Sequence, residues 1–344
     1  MKKCSSSLLL FFVGLLSPVF SPQPAAPAPV ASDVLSAMVT VHAEVPASAR
    51  TAQFLGEQRS GSGVVIDTQG HILTIGYLVM EARRVEVTGI DGKRVPASVV
   101  AHDTQTGFGL LRANEPLSAT PMPFGQSADL TERTEVIIAS DSNAASVRPT
   151  LVTSRREFAG YWEYLLEDAI FTAPPHPRYA GAALIGPDGK LLGIGSLLVN
   201  DALPGRESLT GNMFVPIDHL KPILTDLIRT GRTKAAPRPW LGLFTEEFRD
   251  KLIIMFVAPD GPAEQAGVQV NDLVLKVAGQ PVTDQADFYR KMWAVGEAGA
   301  DITLTLLHGT EVKDITIRSA DRDQYFRAAP TPKKPDTAEA LQAT

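Results

Sequence analysis

Between residues 34 and 228 the chain repeats one pattern: short apolar or β-branched runs, each closed by turn-forming residues. The runs fall at 38–41, 63–66, 72–74, 85–87, 97–100, 110–111, 136–139, 191–194 and 213–215. Stretches this short cannot form helices that bury a full face. Many brief strands punctuated by Gly, Pro and Asp instead require a sandwich or barrel. Two of the turns have definite chemistry. Asp67-Thr68-Gln69-Gly70 and Gly186-Pro187-Asp188-Gly189 both set turn residues between apolar runs.

The pattern changes at Asp218. Leu220, Ile223, Leu224, Leu227 and Ile228 recur at helical spacing, and Gly231 is placed to end the helix. Residues 232–239 then read as a linker containing Pro237 and Pro239. A second, smaller module follows over 240–320. In it Asp284 stands near the N-cap of a helix that aligns Phe288, Met292 and Val295. Ile302, Leu304 and Leu306 alternate with Thr303 and Thr305 as in a strand, and Gly309 turns the chain into 312–317. Residues 321–344, rich in Ala, Pro, Thr and charge, read as a disordered tail.

Residues 1–31 read as a secretory leader with a Pro/Ala-rich end: Lys2 and Lys3, an apolar run over 8–20, then 22–31. The run is too short to span a bilayer comfortably. The expectation is an exported chain, periplasmic or extracellular, with no stable membrane span once the leader is gone. Cys4, the one cysteine, precedes the apolar run, so the mature chain would have no thiol chemistry. A net charge of −6 without a basic stripe argues against a nucleic-acid partner. No H-x-x-H, C-x-x-C or acidic loop suggests a metal, and no cofactor is expected.

Three motifs carry a resemblance. The segment from Gly61-Ser62-Gly63 through Gly70-His71-Ile72-Leu73-Thr74 resembles the strand–turn–strand that leads into the catalytic histidine of HtrA serine proteases. Here it continues Ile75-Gly76-Tyr77, so Tyr77 stands at the histidine position. His102-Asp103-Thr104-Gln105-Thr106-Gly107 resembles the block carrying the aspartate, with Gly107 in its place. His176-Pro177-Arg178-Tyr179-Ala180-Gly181 resembles the nucleophile loop, with Ala180 replacing the serine and Arg178 replacing a glycine of the oxyanion loop. Trp240-Leu241-Gly242-Leu243, the 257–268 block and the 271–282 block resemble a bacterial PDZ domain.

The resemblance implies a mainly β chain. A trypsin-like double β-barrel over 32–231 would be followed by one PDZ domain over 240–320, a small β-barrel with two helices. Tyr77, Gly107 and Ala180 should meet at one cleft between the barrels. A serine protease needs a nucleophile, a base, an orienting carboxylate and oxyanion donors. Ala180 has no nucleophilic atom, Tyr77 is a poor base with an ordinary pKa near ~10, and Gly107 can orient nothing. A Cβ at Arg178 also disturbs the oxyanion loop together with Tyr179. The catalytic site therefore reads as vestigial and the chain as a non-enzymatic pseudoprotease. The alternative is a serine endopeptidase of protein quality control with an unconventional site, for which His102, His176 and Ser62 are the nearby residues. Tyr77 either fills the space of the lost imidazole or shapes a ligand cleft.

The resemblance also implies that the PDZ module binds peptide or protein C-termini. PDZ domains add such a segment to a sheet edge and hold its carboxylate on backbone N–H groups. Trp240, Leu241, Gly242 and Leu243 would form the loop and strand, and Gly242 would allow close approach. Phe288 and Met292 either face this groove or pack the small core, and helical spacing alone does not separate the two. HtrA proteases commonly assemble as trimers through aromatics near the start of the protease domain. Residues 32–41 contain none, and homo- and hetero-oligomers are both compatible with the sequence.

Overall fold

The computed structural model describes residues 32–327 apart from 206, 207 and 250. The leader and residues 328–344 of the tail lie outside the described residues.

The first barrel is built from β1 (Met38–Glu44), β2 (Gln58–Val65), β3 (His71–Ile75), β4 (Arg84–Thr88), β5 (Arg94–His102) and β6 (Phe108–Ala113). They hydrogen-bond in the order β1-β2-β3-β6-β5-β4, and β4 returns to β1. The Asp67–Gly70 turn forms because Asp67 Oδ1 accepts from the N–H groups of Gln69 (2.9 Å) and His71 (3.1 Å). Its other oxygen holds the His71 ring at 2.6 Å. This turn delivers β3, whose five residues are all buried, into pairing with β6.

The second barrel contains β7 (Glu135–Ala139), β8 (Val147–Gly160), β9 (Tyr164–Ala173), β10 (Ala183–Ile185), β11 (Leu191–Val199) and β12 (Gly211–Pro216). Their order is β10-β11-β12-β9-β8-β7, closed by β7 on β10. Gly186 N–H donates to Lys190 O at 3.0 Å and closes the β10–β11 turn. β-branched and leucine side chains from both barrels, such as Val41, Ile72, Leu110, Ile185 and Ile194, form one continuous core. The helical pattern after Asp218 resolves into a 3-10 turn, Ile217–His219, and a helix, Leu224–Thr230, capped by Gly231.

The third unit contains β13 (Leu243–Phe248), β14 (Lys251–Val257), β15 (Leu273–Val277), β16 (Gln280–Pro281), β17 (Asp301–His308) and β18 (Glu311–Arg318). The sheet runs β13-β14-β15-β17-β18, with β16 on β15. Helices Pro262–Gln265 and Gln285–Ala294 accompany it. Asp284 caps the longer helix by accepting from Asp287 N–H at 2.8 Å. In the sheet β13 pairs only with β14, so its outer edge can receive another segment.

The linker is tied down. Arg232 bonds Asp321 at 2.7 Å, and Pro237 O accepts from Ala298 N–H at 2.9 Å. The reading of 321–344 as disordered needs correction at its start, because Arg322–Arg327 is a helix. Its Tyr325 ring lies 4.5 Å from that of Trp240, and Phe326 flanks the same indole. Two aromatics with a ring to cover outweigh the polar composition of the remaining tail.

Candidate functional site

The loops carrying Tyr77, Gly107 and Ala180 are stitched together at the seam between the barrels. Tyr77 sits in the 3-10 turn Gly76–Leu78 that follows β3. Gly76 N–H donates to Gly107 O at 2.7 Å, which joins the first two loops. Ser62 N–H donates to Ala180 O at 2.8 Å, and a Cβ built on Gly61 would touch both Leu78 and Ala180. Strand β2 therefore holds the Ala180 loop beside the Tyr77 turn.

The atoms at this seam are engaged in packing and hydrogen bonds. Ala180 offers only a methyl group. The Tyr77 hydroxyl donates to Ser196 O at 2.7 Å, and burial pushes its pKa further up. Its ring packs against the core of the barrels, as a space-filling residue would. Gly107 adopts φ +86°, and a Cβ there would lie 3.3 Å from the Tyr164 hydroxyl. That hydroxyl donates to Thr106 O at 2.7 Å. The neighbouring carboxylate of Asp103 caps its own turn, accepting from the Thr106 N–H and hydroxyl at 2.8 and 2.6 Å.

Residues 176–182, the segment that carries Ala180, are held by structural bonds as well. Arg178 N–H donates to His176 Nδ1 at 3.0 Å, and the Arg178 side chain pairs with Asp141 at 2.7 Å. With Nδ1 accepting, His176 Nε2 carries the proton and donates to Ser146 O at 2.9 Å. Burial lowers the pKa of this histidine and keeps it neutral. Tyr179 O accepts from Ala182 N–H at 2.9 Å. Of the side chains considered for a relocated site, Ser62 donates to Ser140 O at 2.6 Å, whereas His102 Nε2 lies 3.7 Å from Asp323, beyond hydrogen-bond distance.

At the third unit, the loop before β13 presents three N–H groups in succession. Gly242 has φ +82°, and a Cβ there would meet Ala258 at 3.0 Å and the Trp240 ring at 3.1 Å, so glycine permits this cradle. The cradle is occupied. Glu163, from the tip of the β8–β9 hairpin, accepts from Leu241 N–H (3.0 Å), Gly242 N–H (2.7 Å) and Leu243 N–H (2.8 Å). Two residues further along β13, Thr245 N–H donates to Tyr161 O at 3.0 Å. The turn at 161–163 thus sits against the outer edge of β13, joined to it by this backbone bond and by the Glu163 side chain.

Helix Gln285–Ala294 closes over the hairpin through residues other than those predicted. Tyr289 donates its hydroxyl proton to Gly160 O at 2.7 Å and accepts from Glu163 N–H at 3.1 Å. Gln285 donates to Thr245 O at 2.6 Å and to the Tyr289 hydroxyl at 3.1 Å. Phe288 and Met292 are fully enclosed in the core of the small unit, and Trp240 is buried under the Tyr325 helix. Leu165 of β9 joins that same core. The Glu163 carboxyl is buried, and burial pushes it up to about 7 against the downward pull of the three N–H groups and the Arg322 charge. A cavity of about 470 Å³ adjoins it, lined in part by His102, Arg232, Trp293 and Arg322. Sequence reading missed Glu163 and Tyr289. The only local sign is an acid set among aromatics, Tyr161-Trp162-Glu163-Tyr164.

Two closed barrels followed by a sheet with a three-amide cradle define a trypsin-like peptidase fold joined to a small β-sheet module. Residues 61–194 match the trypsin-like peptidase domain family, and residues 239–318 match the PDZ domain family. The chain is 28% identical over 286 residues to Protease Do-like 1, chloroplastic, of Arabidopsis thaliana, covering 76% of this chain and 63% of that protein. It is 26% identical over 283 residues to a probable periplasmic serine endoprotease DegP-like protein of Halomonas elongata, covering 77% of this chain and 57% of the relative. The chain thus spans about three fifths of the length of these relatives. An HtrA-type protease solved with a tripeptide shares the fold, with a TM-score of 0.51 at 19% identity, over 85% of this chain and 95% of that one. The chain carries a trypsin-like peptidase domain followed by one PDZ domain, and is similar to Do-like and HtrA-type proteases.

Proposed function

We propose that this protein is an exported HtrA-type pseudoprotease. It recognises polypeptides through its PDZ domain and the seam between its barrels, and does not cleave them by serine-triad chemistry. One observation carries the reading: Ala180, in the nucleophile loop, has no atom that can attack a carbonyl. The surroundings support it. The Tyr77 hydroxyl is bonded to Ser196 O, Gly107 has no carboxylate, and Arg178 N–H is directed at His176. Without nucleophile, base and orienting acid, a protease retains only the ~10³–10⁴-fold acceleration that binding and the oxyanion hole supply. Export is supported by the order of charge and apolar residues over 1–31 and by the periplasmic name of one relative. Partners would be unfolded chains or proteins with accessible C-termini, with the protein acting alone or in an oligomer.

A second reading, serine endopeptidase, is favoured by the names of the relatives, which are proteases. Hydrolysis of labelled casein by the purified full chain, with and without a serine-directed inhibitor, separates the two. The pseudoprotease reading expects no inhibitor-sensitive cleavage. Cleavage that survives Ala180→Gly would overturn it and place a working site elsewhere.

A further inference from the structure

The carboxylate cradle of a PDZ domain exists to receive a negative group from outside, and here it already holds one from its own chain. Glu163 meets all three donors of the loop within 3.0 Å. Tyr161 O takes the β13 donor that an added strand would take. The mimicry extends to the helix, where Tyr289 clamps both Gly160 O and Glu163 N–H. A side-chain carboxylate and a chain-terminal carboxylate are chemically alike, so the two compete for one set of donors.

We propose that Glu163 is the resident ligand of the PDZ groove, and that a polypeptide C-terminus opens the molecule by displacing the β8–β9 hairpin from it. This rests on the reading of the PDZ domain as a C-terminus binder and adds how access to it is controlled. The backbone supports a loop shaped for the purpose. Glu163 holds φ +56°, a conformation uncommon for a residue with a side chain, and this geometry turns its carboxylate into the cradle. Closure is reinforced by contacts outside the groove. Arg50 of the first barrel bonds Pro259 O and Asp260 at 3.0 and 3.2 Å, and Glu157 pairs with Arg290. Displacement of the hairpin would therefore loosen the small domain from the barrels as well as free its edge. A groove that is open only part of the time binds with an affinity reduced by that fraction.

The test uses the full chain and its Glu163→Gly variant, since glycine suits φ +56° and removes only the carboxylate arm. Fluorescein-labelled heptapeptides ending in an apolar residue are titrated as free acids and as C-terminal amides. Amide hydrogen exchange at Leu241–Leu243 is followed in parallel. The expected result is at least tenfold tighter binding of free-acid peptides to Glu163→Gly than to the wild type, with amidated peptides weak on both. Protection of the three amides should fall in the variant and return on adding the free-acid peptide. Equal affinity for the two proteins, or unchanged protection in the variant, would overturn the assignment of Glu163 as resident ligand while sparing the PDZ reading. Lost protection with no free-acid peptide binding to either protein would overturn displacement by a C-terminus, and with it the reading of this domain as a C-terminus binder.

Discussion

The backbone N–H of Arg178 points at Nδ1 of His176, 3.0 Å away, and not into the seam beside Ala180. A donor aimed at a developing oxyanion is worth about 10²–10³ in kcat. Here that N–H is committed to holding a neutral, buried imidazole, so the loop has been settled as structure.

From this follows the behaviour of a restored triad. Tyr77→His, Gly107→Asp and Ala180→Ser together should give no measurable turnover of a fluorogenic peptide, because the Arg178 donor stays directed at His176. Adding Arg178→Gly should give the most active member of the series. Turnover by the triple variant equal to that of the quadruple variant would show that the Arg178 position does not limit the chemistry.

Restoration also meets a backbone obstacle at Gly107. Its φ of +86° is strained for any side chain, and the new Cβ would press on the Tyr164 hydroxyl at 3.3 Å. Gly107→Asp alone should destabilise the protein by about 1–3 kcal/mol. For a unit of this size each kcal/mol lowers Tm by roughly 2–4 °C. Calorimetry showing an unchanged Tm would mean that the turn relaxes freely.

The closed groove should respond to pH through Glu163. Burial raises its carboxyl to about 7 in the docked state, whereas an exposed glutamic acid titrates near ~4.3. The raised value means that docking binds the proton more tightly. The contribution to closure is therefore complete below about pH 4.3 and is lost as pH rises through about 7. Arg322 and Tyr289 face the same carboxyl, and His102, lowered by burial, faces Asp323 across the interface and works in the opposite sense. Protection of Leu241–Leu243, corrected for intrinsic exchange, should fall from pH 5 to 8 in the wild type. Glu163→Gln should remove the Glu163 part of that slope, and an identical slope in both proteins would assign the effect to His102.

Tyr289 and Phe288 are neighbours on one helix with separable roles. Tyr289→Phe should leave the small domain folded but weaken its closure by about 1–3 kcal/mol, the cost of leaving buried polar groups such as Gly160 O unpaired. Phe288→Ala should destabilise the domain itself by about 3–5 kcal/mol through loss of core volume. Amide hydrogen exchange reads the first as freer opening of the hairpin, and chemical denaturation reads the second as a lower midpoint. The reverse pattern would place Phe288, and not Tyr289, in the groove.

The sequence by itself determined the architecture and raised the reading of Tyr77, Gly107 and Ala180 on which the proposed function rests. Short β-branched runs separated by Asp67–Gly70 and 186–189 specify barrels through local turn geometry. The blocks after Trp240 specify the PDZ fold, and Tyr77, Gly107 and Ala180 can be read one by one against the motifs they resemble. Only the tertiary structure decided what fills the groove. Glu163 and Gly242 are 79 positions apart, and no periodicity or turn chemistry links a hairpin tip in one domain to a cradle in another. The same limit applied to the helix, where 3.6-residue spacing placed Phe288 and Met292 on a face without saying what it meets. Packing sent them to the core and set Gln285 and Tyr289 against the hairpin. Local conformation is governed by neighbouring residues, whereas the occupant of a binding edge is set by which distant carboxylate the packed domains bring to it.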